Sequence, residues 1–469
     1  MYRKPGLGEQ EDWLLKFTSS LEEDRSLFRA VVLTALAHQI HLFELNLVPE
    51  GVREVISLLL DALGREEEIL SGDFEDVHEA VESWVLRRAG DNGGWMAYGK
   101  SRNDQVATAL RYLAIRELIA ILWEINRLRE SLLDGAASNL ELLTPAFTHL
   151  RPAQPSTASH YLLYIEQELF HHYRVIWHIL RQVIDLCPLG SGPAAGSSVP
   201  LDRGRLAELL GFSGVESNTL LATGSRSFET LTLGALSSLM VMLSRVCEDL
   251  IVWSTPNFGI VELPDDHVST SSVMPQKRNP VTLEVVRAKA GEVIGSLTAI
   301  LSIIKGLPSG YNLDLQETNR HFLKALTDVR ESLRVLSDLM RKIGFREVKI
   351  DETLTQFIAE EISRKRGISY RSAHSLLASA LRESGWDIRR ALSDLGLDLP
   401  VFEEAIAKVV RGGPNPMNLR IEIEARRRLL RDDINKLVEY EAEKMESEKR
   451  LLDLARRIVS RSPNGGNPR

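Results

Sequence analysis

The chain of 469 residues is 44% hydrophobic and 26% charged, which is typical of a globular protein long enough for about three domains. Its formal net charge of −8, from 57 basic and 65 acidic residues, excludes a general basic surface for nucleic acid. Two cysteines exclude a disulfide framework, and the lack of a signal peptide or of an apolar run near about 18 residues predicts a cytoplasmic protein without membrane contact.

Residues 1–99 are predicted to form an N-terminal helical domain whose helices begin near Leu14. The glycine-rich run GDNGG at 90–94 closes this part of the chain. Histidine pairs at positions 38 and 41 and at positions 171 and 172 lack a carboxylate in the metalloprotease arrangement. We therefore interpret them as surface histidines of helices and predict no metal site.

The segment GKSRNDQVATAL at 99–110 leads into a predicted helix. Ser101 or Asn103 is a typical N-cap residue there. The same residues, together with the positive end of the helix and the bidentate fork of Arg102, would also form a carboxylate site. The residues alone leave both interpretations open.

Four apolar stripes at helical spacing predict long helices between residues 100 and 350, and almost no segment alternates over strand length. The stripes run through 118–132, 162–180, 236–250 and 286–304, and Cys247 lies on the third as a core residue. Long helices of this kind pack nearly parallel, so we predict an all-α protein whose central domain is a long-helix bundle. The bundle is either monomeric or shared between subunits.

The segment TPAFTHLRPAQPST at 144–157 carries three prolines that keep it extended between two helices. His149 lies in its middle, beside Thr148. A lone loop histidine is more often a surface or structural residue than a catalyst. On a segment stiffened by proline, however, it is also a candidate for general acid or base catalysis.

About 25 residues without helical periodicity separate a helix that ends near Trp253 from one that begins with Asn279 as N-cap and Pro280 at its first position. This loop contains four consecutive hydroxyl residues at 269–272, followed by Lys277 and Arg278. Such a loop, next to a helix N-terminus, is suited to bind a carboxylate. A solvated surface loop is the alternative.

Residues 351–469 are predicted to form a smaller C-terminal helical domain. Turns are indicated at Gly367, at 395–400 and at the GGP of 412–414. The last residues, SPNGGNPR, combine proline, glycine and asparagine at a chain end and are predicted to be disordered.

Taken together, these segments resemble the fumarase/aspartase superfamily, and within it the argininosuccinate lyase and delta-crystallin branch. The most selective matches are SSVMPQKRNP at 271–280, where Gln276 is typical of that branch, and SRNDQVAT at 101–108. Further matches are FTHLRPAQP at 147–155, PLGSG at 188–192, YNLDLQE at 311–317 and GISYRSAH at 367–374. The resemblance covers nearly the whole chain.

The resemblance implies a carbon–nitrogen lyase that cleaves argininosuccinate, a small anionic substrate, into L-arginine and fumarate by β-elimination. Ser271 would be the base, with its alkoxide stabilised by backbone N–H groups and Lys277. His149 would be the general acid or its relay, oriented by Glu284. Substrate-binding roles are implied for Ser20, Ser101, Arg102, Asn103, Thr148, Asn279, Tyr311 and Gln316. No metal or organic cofactor is implied.

The resemblance also implies an assembly. Members of the family form homotetramers in which the central domains build one helical core and each active site combines segments of three subunits. We therefore expect residues 100–350, with a catalytic loop near 265–284, to form the shared part of a tetramer. Arginine biosynthesis is the implied pathway.

Six residues depart from the family pattern, and several of them concern substrate recognition. The departures are Trp95, Ala97, Lys100, Ser227, Thr270 and Asn319, the last standing where a lysine is expected, with Arg320 beside it. A related lyase acting on adenylosuccinate and a non-catalytic crystallin-like protein are therefore the alternatives. A plain helical scaffold is disfavoured by the long polar loop.

Overall fold

The computed structural model describes residues 11–407 and 410–460. The sequence SPNGGNPR, predicted to be disordered, lies outside the described residues. The N-terminal part consists of short helices packed around the longer helix α2. Its helices are α1 (Asp12–Thr18), α2 (Phe28–Glu44), α3 (Val52–Ala62), α4 (Glu66–Ile69) and α5 (Val77–Ala89). A 3-10 segment, Gly90–Ala97, leads from α5 towards the next helix.

Long helices make up the centre of the molecule, as the apolar stripes predict. The long helices are α6 (Arg102–Ser138), α7 (Ala158–Ile179), α10 (Ser227–Trp253), α11 (Val281–Ile304) and α12 (Glu317–Lys342). Two short helices, α8 (Arg203–Leu210) and α9 (Thr219–Gly224), come between α7 and α10 in the chain. The stripe of α11 is buried at Val286, Ala290, Val293 and Ile300, and Cys247 of α10 is also buried. The all-α prediction is confirmed.

The C-terminal part ends in a helix that returns to the centre. Its helices are α13 (Thr355–Arg366), α14 (Tyr370–Glu383), α15 (Ile388–Asp394), α16 (Phe402–Ile406) and α17 (Pro416–Ser460). Apolar residues of α17 belong to the same core as α2, α6 and α10, whereas α13 to α16 pack around a second, smaller core. The predicted boundaries after residues 99 and 350 stay predictions.

The described strands are short and form two-stranded pairs that connect helix ends. They are β1 (Leu143–Thr148), β2 (Arg151–Thr157), β3 (Leu186–Cys187), β4 (Gly214–Val215), β5 (Val261–Glu262), β6 (Ser269–Thr270), β7 (Arg278–Asn279) and β8 (Gly344–Phe345). Strands β3 and β4 pair in parallel, and β1 with β2, β5 with β8 and β6 with β7 pair antiparallel. The segment predicted to be extended is therefore a β-hairpin.

Two local predictions are wrong. Asn279 is not an N-cap, because it pairs with Ser269 in the β6–β7 ladder, and Pro280 takes the position before α11. His38 and His41 do not lie on the surface but are buried in α2, a helix whose residues are covered on nearly every side. By contrast, Ser101 caps α6 as expected.

Helix α6 gives the molecule two distant ends, because its 37 residues span about 55 Å. The N-termini of α6 and α12 lie together at what we call the cavity end. The β1–β2 hairpin follows the C-terminus of α6 at what we call the hairpin end. There the Phe147 ring lies 5.8 Å from that of Trp253, the last residue of α10, and 5.5 Å from that of Phe258.

Two helical segments in the described residues, Arg25–Glu44 and Ser227–Trp253, are long and apolar enough to span a membrane by length and composition. Of the tested windows, 83% and 56% respectively are buried inside the fold. Core helices meet the same criteria, and the burial of the first segment is that of a core helix.

Candidate active site

A cavity of about 360 Å³ lies at the cavity end of the bundle. Five of the residues predicted to bind substrate line it together, although they come from segments more than 200 positions apart in the chain. These residues are Ser101, Arg102, Asn103, Tyr311 and Gln316. The structure therefore brings the SRNDQ and YNLDLQE motifs to one place.

The start of α6 forms one wall of this cavity. Ser101 Oγ accepts a hydrogen bond from the Asn103 N–H at 3.3 Å, and Asp104 Oδ1 accepts one from the Ser101 N–H at 3.0 Å. The second Asp104 oxygen accepts N–H bonds from Gly190 and Gly192 at 3.1 and 2.8 Å. Burial raises the pKa of Asp104 to about 6. The residues that cap α6 thus also form a wall of the cavity, and the helix dipole adds positive electrostatic potential there.

A buried carboxyl that the sequence analysis did not single out, Asp24, faces the same cavity. Ser20 Oγ donates to Asp24 Oδ2 at 2.6 Å, and Asn319 Nδ2 donates to Asp24 Oδ1 at 3.0 Å. Burial raises the pKa of Asp24 to about 6, against the opposing effect of these two hydrogen bonds. Because Asp24 lines the cavity, its partner Ser20 also lies at the cavity end, as the sixth residue there that is predicted to bind substrate.

Two cations, Arg102 and Lys100, line the cavity. The guanidinium of Arg102 is bonded to Asp76 and lies 3.8 Å from Glu82, so its fork is already occupied by protein carboxylates. The Lys100 ammonium is buried and makes no hydrogen bond to any described residue. Burial lowers the pKa of Lys100 to about 8.

Three of the departures from the family pattern, Ala97, Lys100 and Asn319, line this cavity, and the others do not. Trp95 packs edge-on against Tyr98, with ring centroids 5.3 Å apart. The remaining departures are exposed: Ser227 Oγ bonds Ser225 Oγ at 2.9 Å, and Thr270 pairs with Arg278 in the β6–β7 ladder.

The hairpin presents His149 and Thr148 at its exposed tip. His149 and Leu150 form a two-residue loop with φ of 54° and 57°, the left-handed conformation of a type I′ hairpin turn. Non-glycine residues rarely adopt this conformation, and such residues concentrate at functional sites. His149 makes no hydrogen bond to any other described residue.

The predicted catalytic loop lies before α11, and Ser271 forms its turn. Ser271 Oγ accepts hydrogen bonds from the Val273 and Met274 N–H groups, both at 3.2 Å. Lys277 is exposed, Asn279 is half-buried, and Glu284 is exposed in the first turn of α11. These residues lie on or beside a loop whose side chains are mostly exposed.

Buried His267 anchors this loop to the bundle. His267 Nδ1 lies 3.1 Å from Thr282 Oγ1 of α11, and His267 Nε2 lies 3.1 Å from Asp338 Oδ2 of α12. His267 and Asp338 form, with Asp266, a cluster of potential metal ligands in the described part of the chain. The Lys342 ammonium donates to both carboxylates, so a protein cation already occupies the position between them.

One chain does not bring the predicted site residues together. Ser20, Ser101, Arg102, Asn103, Tyr311 and Gln316 lie at the cavity end. Thr148 and His149 follow the opposite end of α6. Ser271, Lys277, Asn279 and Glu284 precede or begin α11, whose 24 residues, about 36 Å long, run towards the segment that carries Tyr311.

A family model described as lyase matches residues 14–295. The argininosuccinate lyase of Sulfurisphaera tokodaii is 39% identical over 441 residues, which cover 94% of this chain and 95% of that protein. The argininosuccinate lyase of Pyrococcus furiosus is 40% identical over 449 residues, covering 94% and 97% respectively.

Solved structures share the fold at lower identity. An EDDS lyase variant with bound fumarate is 22% identical with a TM-score of 0.82, covering 96% of this chain and 95% of that chain. Class II fumarase from Schistosoma mansoni is 15% identical with a TM-score of 0.70, covering 84% and 91%. Fold, motifs and similarity along nearly the whole chain agree, and the protein therefore belongs to the argininosuccinate lyase family.

Proposed function

We propose that this protein cleaves argininosuccinate into L-arginine and fumarate by β-elimination, at active sites shared between the subunits of a homotetramer. The observation that carries this proposal is the cavity, which gathers five residues implied to bind the substrate. A cytoplasmic location and a place in arginine biosynthesis belong to the same proposal, since L-arginine is one of the products.

Ser271 is the base in this proposal. A serine hydroxyl is a weak base unless its alkoxide is stabilised, and the two N–H groups of Val273 and Met274 already point at Ser271 Oγ. The alkoxide removes a proton from the substrate carbon next to a carboxylate, and the electron pair is held as an aci-carboxylate. Lys277 and Asn279 would stabilise the negative charge that develops there.

His149 is the general acid. The carbon–nitrogen bond breaks, its electron pair moves to the guanidinium nitrogen, and that nitrogen receives a proton from His149. The left-handed hairpin turn fixes the imidazole at an exposed tip, where it is available to another subunit. Glu284 would orient the imidazole and Thr148 would contact the substrate beside it.

The shared site is supported by where the residues lie in one chain. The roughly eleven residues from Ser138 to His149 reach about 38 Å when fully extended, which is less than the about 55 Å span of α6. His149 therefore cannot reach the cavity of its own chain. A second copy packed antiparallel would place its hairpin end at this cavity end.

The exposed face of α11 supports close packing between copies. Small residues recur along it at heptad spacing, and apolar side chains of Val285, Ile294 and Leu301 flank them with 53%, 41% and 47% exposure. The small residues are Ala288, Gly291, Gly295, Thr298 and Ser302. Small side chains let helix backbones approach closely, and exposed apolar side chains on a long helix favour burial against another subunit.

The proposal is tested by following fumarate absorbance after argininosuccinate is added to the purified protein. We expect fumarate from the wild type and a loss of about 10²-fold or more in kcat for Ser271→Ala and for His149→Asn, since each removes a proton-transfer group. Both variants should keep the size and circular dichroism of the wild type. Adenylosuccinate is the control substrate, and cleavage of adenylosuccinate alone would replace the proposal.

A further inference from the structure

The Lys100 ammonium is a buried cation that has no partner among the described residues. Its Nζ atom has almost no accessible surface, makes no hydrogen bond and lies within ion-pair distance of no described carboxylate. Burial of an uncompensated ammonium is unfavourable, because the ion loses its hydration and gains no hydrogen bond in exchange. The proposed mechanism of β-elimination assigns no role to this side chain.

The groups around Lys100 do not neutralise it. Two imidazoles face it, from His38 on α2 and His78 on α5, and burial lowers the pKa of both, so that they are neutral at physiological pH. Glu82 on α5 and Asp104 on α6 attract it from beyond contact distance. The site thus holds an ammonium that is still mostly protonated at neutral pH, on a residue that lines the cavity.

The other residues considered for binding an anion at the cavity end are either paired with a carboxylate or uncharged. Arg102 is bonded to Asp76. Asn319 is neutral, buried and turned towards Asp24, and Arg320 forms an ion pair with Glu317 at 2.8 Å on the surface. Of the two cations that line the cavity, Lys100 is therefore the one without a hydrogen-bond partner among the described residues, and it remains the candidate to bind a ligand carboxylate.

The remaining charges of the cavity indicate which end of the substrate it holds. Four carboxylates line it, from Asp24, Glu75, Asp76 and Glu82. A succinate end, with two negative charges, would be repelled by them, whereas an amino-acid head group offers an ammonium to the carboxylates and one carboxylate to Lys100.

We propose that Lys100 binds the α-carboxylate of the arginine half of the substrate and so determines specificity for an amino-acid head group. This inference rests on the proposed function, because it assigns one end of argininosuccinate to the cavity. The succinate end then lies towards the Ser271 loop and Lys277 of another subunit.

The test compares Lys100→Met with Lys100→Arg, which restores the positive charge. Calorimetry with L-arginine and with agmatine, which lacks the carboxylate, isolates the contact. We expect Lys100→Met to weaken L-arginine binding and to raise the KM for argininosuccinate by about tenfold or more, since a charge-assisted hydrogen bond is lost. Agmatine binding and kcat should change by less than about twofold, and Lys100→Arg should recover most of the affinity.

Arg320→Met is the matched control, because it removes a neighbouring cation that already has a partner on the surface, and its affinities should equal those of the wild type. Equal losses for L-arginine and agmatine, no loss for either, or a wild type that binds both ligands alike would overturn the assignment. A wild type that binds L-arginine through Lys100 but cleaves no argininosuccinate would instead contradict the proposed function alone. Circular dichroism distinguishes misfolding from these outcomes.

Discussion

Asp24 shows how burial changes the chemistry of a single residue. The residue is 5% exposed, and burial raises the pKa of its carboxyl to about 6 although Ser20 and Asn319 donate hydrogen bonds to it. The carboxylate is thus ionised at neutral pH but protonated near pH 5. A group that attracts the ammonium of a substrate loses that attraction when it takes up a proton, so binding should weaken as pH falls through about 6.

We therefore expect the KM for argininosuccinate to rise as the pH falls from 7 to 5. In Asp24→Asn the KM should be high at pH 7 already, and its rise below pH 6 should be smaller. Steady-state kinetics across this range checks both expectations. Asp104 also has a pKa raised to about 6, so an equal rise in wild type and variant would assign the effect to that buried cap and not to Asp24.

The residues of the cavity show how much of the site could be predicted from the sequence. Ser101, Asn103 and Tyr311 stand in motifs that identify the family, and the structure places them around one cavity. In the sequence, Lys100 stands out only as a departure from the family pattern, and Asp24 does not stand out at all. Asp24 is 295 positions from its partner Asn319, and the burial that changes its pKa exists only once the segments around the cavity have packed.

At the scale of elements, a buried ion network joins α6, α7 and α17. The two oxygens of Glu166 accept hydrogen bonds from Arg129 Nε at 2.9 Å and from Arg426 Nε at 2.6 Å. Arg129 Nη1 also donates to Asp433 at 2.8 Å. Because Glu166 and Arg129 are fully buried, removal of one partner leaves an uncompensated charge in the core.

Glu166→Ala should therefore lower the free energy of unfolding by about 3–5 kcal/mol, measured by chemical denaturation monitored by circular dichroism. The matched control is Glu262→Ala, which breaks the Glu262–Arg346 ion pair at 2.8 Å, where both side chains are more than half exposed. We expect a change below about 1 kcal/mol for the control. Similar losses in both variants would contradict the role assigned to burial.

Helical periodicity predicted the long elements because the buried stripe of each helix repeats over several turns. The short elements depend on partners that periodicity does not report. Asparagine is a favoured N-cap residue, yet Asn279 pairs with Ser269 in the β6–β7 ladder and does not cap α11. The prolines at 145, 152 and 155 predicted an extended segment, but not that His149 and Leu150 turn it back on itself.

For the whole molecule, the glycines of α11 lead to a prediction about assembly. A Cβ atom at Gly291 would meet nothing within 4 Å in one chain, so the protomer itself does not require a glycine there. A leucine at this position would instead obstruct a second helix that packs closely against α11. Gly291→Leu should thus fold, since leucine favours a helix more than glycine, but should dissociate and lose activity.

Sedimentation together with the fumarate assay measures both effects. Gly64→Leu is the control, because Gly64 is exposed after α3 and a Cβ atom there would meet nothing closer than 3.9 Å. It should remain assembled and active. A Gly291→Leu protein with wild-type size and activity would show that α11 does not form the subunit contact.

The separation of the two ends along α6 has a genetic consequence. In a shared site, a chain damaged at its cavity end still contributes a sound hairpin and loop to its neighbours, and a chain damaged at its hairpin end still contributes a sound cavity. Two null alleles, one carrying Asn103→Ala and the other Ser271→Ala, should therefore complement each other in mixed tetramers. Two alleles with lesions in the same segment should not, and complementation between mutants would assign each lesion to the segment of the shared site that carries it.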